Sequence, residues 1–257
     1  MYFTQALAPL AFATAALGQS LNIPNRVGVI QVLEGPRTLS GPNNDFGNQE
    51  FELNRPCDTD EDLGSDGAVF ILNDGAVLSN VIIGVNQLEG VHCKGKCTLK
   101  NVWFRDVCEG KKQKISCTIL SLTNVDAISI LGNGDALIEG GGAQEAKDKV
   151  IQHNGRGTVT IKGFTVINAG KLYRGCGDCT GNGGPRHVVV ENVKAKGVGN
   201  LVGINSNYGD TANISGTCGA DVKKVCQEFE GVQKGNGKST EVDTTASCKG
   251  QQTLSSC

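Results

Sequence analysis

The sequence predicts an all-β protein, a parallel β-solenoid with a disulfide-rich C-terminal cap. Three observations predict it. Short runs of alternating apolar and polar residues recur along the chain, which is the period of a strand with one buried face. The same corner sequence returns after about 20 residues, the length of one solenoid coil. The chain also holds 36 glycines in 257 residues but only 6 prolines, which favours many tight turns over disorder.

Six alternating runs are the predicted strands. Several contain a corner of the form apolar–polar–Asn–Val, as in Leu78-Ser79-Asn80-Val81 and Leu99-Lys100-Asn101-Val102, and a variant has Gly163 at the turn. A sandwich or barrel would show hairpin signals at shorter spacing, and no amphipathic helix longer than two turns is convincing before residue 219. In chain order the runs are Ala76–Val85, Thr98–Phe104, Ala127–Leu131, Ala136–Glu139, Thr158–Val166 and His187–Val193.

Composition limits the partners of the chain. Its net charge is -2 and its pI about 6.0, so there is no overall basic field to attract nucleic acid. After the N-terminus, no apolar run approaches the roughly 20 residues needed to span a bilayer. We therefore expect binding to neither nucleic acid nor membrane, and we expect a monomer.

Residues 1–18 predict a secretory signal peptide. The stretch from Ala6 to Leu17 is small and apolar, and Ala16-Leu17-Gly18 is an acceptable cleavage tripeptide. Residues 19–257 then form a single domain, a length that suits one core. Export predicts a secreted, extracellular protein in an oxidising compartment.

Eleven cysteines predict disulfides rather than zinc sites. The pairs Cys93/Cys97 and Cys176/Cys179 have a spacing that also occurs in zinc sites, but Asp and His ligands do not cluster beside them. The odd count requires one leftover thiol. The polar tail from Gly199 to Cys257 holds four cysteines, and we expect it to cap the last coil and protect the open sheet edge.

One segment exceeds the coil spacing. Between the corners Asn101 and Gly163 the chain is long enough for almost three coils, and removing Gly110–Val125 leaves two coils of about 23 residues each. Removal also makes the cysteine count even, because the segment holds Cys117, and it joins Glu109 to Asp126. We hypothesise that Gly110–Val125 is a translated intron; the alternative is a genuine surface loop at a solenoid corner.

Five charged residues fall about one coil apart: Glu89, Glu109, Asp126, Lys149 and Lys171. The steps from Glu89 to Glu109, from Asp126 to Lys149 and from Lys149 to Lys171 are 20, 23 and 22 residues. Each is close to the length of one solenoid coil. Residues one period apart stack on the same face of a solenoid, so acids would lead into lysines along one column. Clustered carboxylates suit a hard cation such as calcium, and amines beside them can take a proton. The spacing therefore predicts a metal-assisted elimination site.

About half of the chain, from Asp66 to Val193, resembles the family-3 pectate lyases, which are secreted microbial enzymes with a right-handed parallel β-helix. The segments that carry the resemblance are DGAVFILNDGAVLSNVIIG, EGVHCKGKCTLKNVWFRDVCE, DAISILG, EGGGAQEAKDKVIQHNGRGTVTIKGF and GKLYRGCGDC. The resemblance implies calcium-dependent β-elimination of polygalacturonate. It implies calcium carboxylates at Glu89, Glu109 and Asp126, and catalytic or substrate-binding cations at Lys149, Lys171 and Arg174.

The chain departs from this family at three places. Some members have Asp at the position of Glu89, and some have Lys near Leu131. The adjacent Glu-Asp pair of the family is split here by Gly110–Val125. An inactivated, non-catalytic pectin-binding β-helix is therefore an alternative function.

The residues predict a mechanism with Lys171 as the preferred base. A neutral amine removes the proton at C5 of a galacturonate, and Arg174 or Lys149 stabilises the enolate-like charge. A polygalacturonase on the same fold would need clustered carboxylates but not the lysine column. The histidines His92, His153 and His187 show no spacing typical of a Ser-His-Asp triad, and we expect the first two to be packed and hydrogen-bonded.

Overall fold

The computed structural model describes residues 21–55, 64–107 and 126–257. These residues form eighteen strands and two short 3₁₀ helices, and none of their helices is long and apolar enough to cross a membrane. The strands are β1 (Gln31–Leu33), β2 (Arg37–Leu39), β3 (Asn44–Leu53), β4 (Ala68–Leu72), β5 (Ala76–Ile83), β6 (Glu89–Cys93), β7 (Cys97–Phe104), β8 (Ile128–Ile130), β9 (Ala136–Glu139), β10 (Gly142–His153), β11 (Gly157–Lys162), β12 (Thr165–Gly175), β13 (Arg186–Glu191), β14 (Lys194–Asn205), β15 (Thr211–Ser215), β16 (Cys218–Glu230), β17 (Thr240–Val242) and β18 (Cys248–Gly250), and the 3₁₀ helices are Gly64–Gly67 and Ser206–Tyr208.

The strands wind into three parallel faces. The first face has the order β2-β4-β6-β8-β10-β12-β14-β16, and the second has β5-β7-β9-β11-β13-β15-β18. The third face is formed by β1 with parts of β3, β5, β7, β10, β12, β14 and β16. Long strands such as β10 bend from the third face into the first, with a register shift between Ala146 and Lys149. The predicted right-handed parallel β-helix is confirmed.

The interior is built from ladders of apolar side chains. On the second face the register stacks one aliphatic residue from each coil, and all of them are buried. Each such side chain contributes about 1.5–3 kcal/mol of hydrophobic stabilisation when fully buried. The ladder is Leu78, Leu99, Ile138, Ile161, Val190 and Ile214.

The corners explain the repeated asparagines. Asn80, Asn101 and Asn192 have positive φ of 51°, 52° and 53°, and Gly163 has φ of 61°. Asn and Gly are the residues that adopt this left-handed conformation most readily. Stacked corners also bond to each other, since Asn101 Nδ2 donates to Asn80 Oδ1 over 3.1 Å. All four predicted corners therefore turn through the same backbone conformation.

Each of the six predicted strand runs coincides with a strand, with one difference. The run Thr158–Val166 is two elements, because the chain turns at Gly163 between β11 and β12. The C-terminal cap also begins later in the chain than the predicted start at Gly199. Coils continue through β14, β15 and β16 before the cap begins, so the solenoid reaches further than the six alternating runs predict.

Four disulfides join cysteines of the described residues. Cys93 pairs with Cys97 and Cys176 with Cys179, so the disulfide interpretation of both spacings is confirmed. Two more close the cap, joining Cys218 to Cys257 and Cys226 to Cys248. Cys57, Cys108 and Cys117 lie outside the described residues, as do the predicted signal peptide 1–18 and the segment Gly110–Val125.

The coil that contains Gly110–Val125 is long. The stretch of chain from Leu99 to its ladder partner Ile138 is nearly twice as long as the stretch from Leu78 to Leu99. The next step of the same ladder, from Ile138 to Ile161, returns to the ordinary length. The surplus therefore falls within this one coil. Whether the segment is an intron or a loop stays a hypothesis.

Candidate active site

A groove of about 900 Å³ runs along the outer surface of the first face. Five of the six side chains predicted to form the site line it, on four successive coils: Glu89, Asp126, Lys149, and the pair Lys171 and Arg174. The sixth, Glu109, lies outside the described residues. The described part of the predicted site is therefore brought together in one concave surface.

Strand register stacks the charged residues one per coil. The backbone N–H of Gly90 donates to the carbonyl of Asp126 over 3.3 Å, and β6, β8 and β10 are aligned so that Glu89, Asp126 and Lys149 lie at one level. Lys149 is in turn paired with Lys171. Neighbouring strands lie about 4.8 Å apart, so a substrate lying across the strands meets acids first and lysines next.

The acidic end contains a buried contact between a carboxyl and an imidazole. Glu89 is only 7% exposed and its Oε2 contacts Nε2 of His92, which is 2% exposed. Nδ1 of His92 has no hydrogen-bond partner among the described residues. The Glu side chain at position 89 is thus long enough to bond the histidine three residues later, and His92 is packed and hydrogen-bonded as predicted.

Asp126 is a buried carboxyl whose pKa is raised despite a neighbouring lysine. It is 6% exposed, and burial raises the pKa of its carboxyl to about 7, with Lys149 opposing the rise and the charges of Asp148 and Glu89 adding to it. Its Oδ1 lies 3.4 Å from Nζ of Lys149, yet no described residue donates a hydrogen bond to that oxygen. An unbonded, buried carboxylate oxygen facing other acids is suited to bind a metal ion.

Asp148 joins the two lysines. Its Oδ2 contacts Nζ of Lys149, and its Oδ1 accepts a hydrogen bond from Nζ of Lys171 over 3.1 Å. Burial acts to raise the pKa of Asp148, but the charges and hydrogen bonds of both lysines outweigh burial and lower it. The carboxylate therefore stays charged and holds the lysines side by side. The side chain of Lys149 is 6% exposed and that of Lys171 26%.

Arg174 is a buried cation at the far end of the column. It is 7% exposed, and burial lowers the pKa of its guanidinium to about 10. Its Nη1 donates to the carbonyl of Gly175 over 2.6 Å and to Oδ1 of Asn205 over 2.9 Å. Its Nη2 donates to Oγ of Ser239 over 2.9 Å, and its Cζ lies 4.0 Å from the ring centroid of Phe229.

Four of these contacts were not among the predicted site residues: Asp148, Asn205, Phe229 and Ser239. Asp148 directly precedes Lys149. Its position next to a predicted functional lysine could have identified it from the sequence. Ser239 lies 65 residues after Arg174, in the polar tail, where nothing in the local pattern points to the groove. Among the described residues no group of three or more potential ligand side chains is close enough to hold a metal. The third predicted carboxylate, Glu109, lies outside these residues.

The family of the chain follows from its match to known proteins. A family model described as pectate lyase matches residues 20–236. The chain belongs to the pectate lyase family. It is 44% identical over 283 aligned positions to probable pectate lyase D of Emericella nidulans, with 100% of both chains covered.

Solved pectate lyases have the same architecture. The catalytic domain of pectate lyase PelI from Erwinia chrysanthemi is 32% identical, with a TM-score of 0.67, 88% of this chain and 97% of that chain covered. PelI in complex with tetragalacturonic acid is 32% identical, with a TM-score of 0.63, covering 85% of this chain and 66% of that chain. The protein is thus a pectate lyase, a carbon–oxygen lyase that acts on a polysaccharide.

Proposed function

We propose that this pectate lyase cleaves polygalacturonate by calcium-dependent β-elimination and releases 4,5-unsaturated oligogalacturonides. The observation that supports it most directly is the column of Glu89, Asp126, Lys149 and Lys171 in one groove. The tetragalacturonic acid complex of the related PelI supports polygalacturonate as the substrate.

The residues at the acidic end fit calcium. Glu89 and Asp126 supply the hard carboxylate oxygens that calcium prefers, and the unbonded Oδ1 of Asp126 is a buried acceptor without a donor. Glu109 is the proposed third ligand. A bound calcium ion would neutralise a galacturonate carboxylate and acidify the proton on the adjacent C5 carbon.

We assign the general base to Lys149 in preference to Lys171. The base must reach the C5 proton beside the carboxylate that the acids bind, and Nζ of Lys149 is 3.4 Å from Asp126, whereas Lys171 lies one strand further. Lys171 then binds a substrate carboxylate, and Arg174 stabilises the charge that develops on the eliminating sugar. The unprotonated amine of Lys149 takes the C5 proton, and the electron pair of the broken C5–H bond forms the C4–C5 double bond. The glycosidic oxygen leaves C4 with the electron pair of the C4–O bond and takes a proton from water.

Lysine variants test this assignment. Lys149→Met removes the base and lowers kcat by about 10²–10⁴-fold, the usual contribution of general base catalysis, while KM changes little. Lys171→Met raises KM more than it lowers kcat, because it removes binding shared by substrate and transition state. The ultraviolet absorbance of the unsaturated uronide follows the reaction, with calcium or with chelator. The reverse pattern, with kcat lost only in Lys171→Met, returns the base to Lys171.

The same assay separates the other functions. A polygalacturonase would release reducing ends without unsaturated product. A non-catalytic pectin-binding protein would bind the polymer and show no turnover. Comparing the full chain with the Gly110–Val125 deletion tests the insert, since turnover only in the deletion variant means that these residues disrupt the calcium site.

We also propose that the protein is a secreted, extracellular monomer. The disulfides support an oxidising compartment, and the predicted signal peptide supports export. N-terminal sequencing of protein from culture medium, expected to begin at or near Gln19, and light scattering at assay concentration check both statements.

A further inference from the structure

The guanidinium of Arg174 is held by residues that come from the C-terminal segment. Phe229, on the last half of β16, lies over the guanidinium at 4.0 Å from its Cζ. Ser239, just before β17, accepts a hydrogen bond from Nη2 over 2.9 Å. A guanidinium packed on an aromatic ring and bonded at both ends is held in one plane.

The hydrogen bonds of Arg174 leave a defined pair of donors. Both hydrogens of Nη1 are taken by Gly175 and Asn205, and one hydrogen of Nη2 is taken by Ser239. A guanidinium has five N–H donors. Within the described residues, the Nε hydrogen and the second Nη2 hydrogen have no acceptor. Because Arg174 lines the groove, these two donors are left for a substrate carboxylate.

Two glycines make room for this arrangement. A Cβ added to Gly203 would lie 2.9 Å from Cδ of Arg174 and 3.1 Å from Cε2 of Phe229. A Cβ added to Gly177 would lie 2.7 Å from Cβ of Ser239 and 3.0 Å from Nη2 of Arg174. The side chains of Arg174, Phe229 and Ser239 therefore pack against bare backbone on two sides.

The segment that carries Ser239 is itself fixed to the groove. The N–H of Val232 donates to the carbonyl of Gly177 over 2.8 Å, and the N–H of Lys234 donates to the carbonyl of Cys179 over 3.2 Å. Nδ2 of Asn182 donates to the carbonyl of Val232 over 2.9 Å. The cap is thus bonded to the loop of the Cys176–Cys179 disulfide, directly beside Arg174.

We propose that Phe229 and Ser239 are positioning residues of the elimination reaction, which hold the guanidinium of Arg174 so that its Nε and Nη2 hydrogens face the bound uronate. This inference rests on the proposed function, in which Arg174 stabilises charge on the substrate. A long arginine side chain without these contacts samples several rotamers, and a displacement of about 1 Å at a reacting centre lowers the rate by about 10²-fold.

Three variants of the full chain test the hydroxyl of Ser239. Ser239→Ala lowers kcat by about tenfold or more and changes KM by less than about twofold, because the interaction that it orients strengthens only in the transition state. Ser239→Thr keeps the hydroxyl and retains most of the activity. Thr240→Ala, at the exposed neighbouring position, is the matched control and is expected to behave like wild type. Melting temperature, measured alongside, identifies any loss of fold.

Gly203→Ala tests the same inference from the other side of Arg174. Its added methyl displaces Arg174 and Phe229, and we expect kcat to fall as in Ser239→Ala while the melting temperature falls little. Wild-type kcat in both variants overturns the positioning role, as does a loss in Ser239→Ala that Ser239→Thr does not restore.

Arg174→Ala separates this inference from the proposed function. If Arg174→Ala loses activity while Ser239→Ala and Gly203→Ala do not, only the positioning role is overturned. If Arg174→Ala retains wild-type kcat, the assigned role of Arg174 is wrong and the positioning role falls with it.

Discussion

Replacing Asp126 by Asn has opposite effects on the calcium-free and calcium-bound protein. Without calcium, burial and the charges of Asp148 and Glu89 disfavour the ionised carboxylate of Asp126, and together they outweigh the attraction of Lys149. The amide is uncharged and nearly isosteric, so it resembles the protonated acid. We therefore expect Asp126→Asn to stabilise the calcium-free protein at alkaline pH and to weaken calcium binding at the same time.

The raised pKa sets the size of the effect. The pKa of Asp126 rises from 3.8 to about 7, roughly three units, and each unit corresponds to about 1.36 kcal/mol. Between these values the folded state binds the proton more tightly than the unfolded state, so stability falls as pH rises through this window. Above pH 7 the wild-type protein is destabilised by on the order of 4 kcal/mol, and Asp126→Asn removes this loss.

Thermal unfolding measures this difference in stability between wild type and Asp126→Asn. At about 2–4 °C per kcal/mol for a domain of this size, calcium-free Asp126→Asn melts roughly 8–16 °C above wild type at pH 8.5, and the two converge near pH 4. Calcium then raises the melting temperature of wild type, because it binds only the folded state, and leaves Asp126→Asn nearly unchanged. Asp221→Asn, an exposed acid at positive φ, is the control and should show neither effect.

Two results would refute the reasoning. A calcium-free Asp126→Asn that melts below wild type at pH 8.5 means that the carboxylate is stabilised in the fold rather than strained. An equal calcium shift in both proteins means that Asp126 is not a calcium ligand.

Three further predictions concern pH and packing. Burial, followed by the charges of Arg186 and Arg156, lowers the pKa of His153 to about 3, so its contribution to stability is lost as pH falls from 6.5 towards 3. At pH 5 the loss is about 2 kcal/mol, and His153→Asn, followed by urea unfolding, should flatten this part of the profile; parallel profiles for both proteins would contradict it. Raising calcium should move the acid limb of the pH–rate profile lower, by up to about one pH unit per tenfold, because calcium competes with the proton on Asp126. A limb that stays in place as calcium rises would oppose the site. Ile161→Ala in the aliphatic ladder should lower the free energy of unfolding by about 2–5 kcal/mol, and Ile161→Val by about 0.5–1.5 kcal/mol; equal losses would show that the ladder is not tightly packed.

The repeating coil is predictable because its causes are local. Alternation along a strand needs only neighbouring residues, and a corner needs one residue that tolerates positive φ, as at Asn80 and Asn101. Once the coil length is known, counting residues places Asp126, Lys149 and Lys171 on one wall, since parallel strands stack with little offset. Cysteine count and spacing likewise predicted disulfides rather than zinc sites, but the pairings of Cys93 with Cys97 and of Cys176 with Cys179 came only from the structure.

The contacts that complete the site join residues of different coils and of the cap. No local sequence pattern predicts such contacts. Asp148 is adjacent to Lys149 in the chain, but only the bend of β10 after Ala146 brings its carboxylate onto both Lys149 and Lys171. Ser239 reaches Arg174 because the cap folds back over the last coils and bonds to the Cys176–Cys179 loop. Burial, and with it the raised pKa of Asp126, arises from the neighbours that pack around a side chain. These neighbours come from several coils at once, so their effect exists only after the chain has wound.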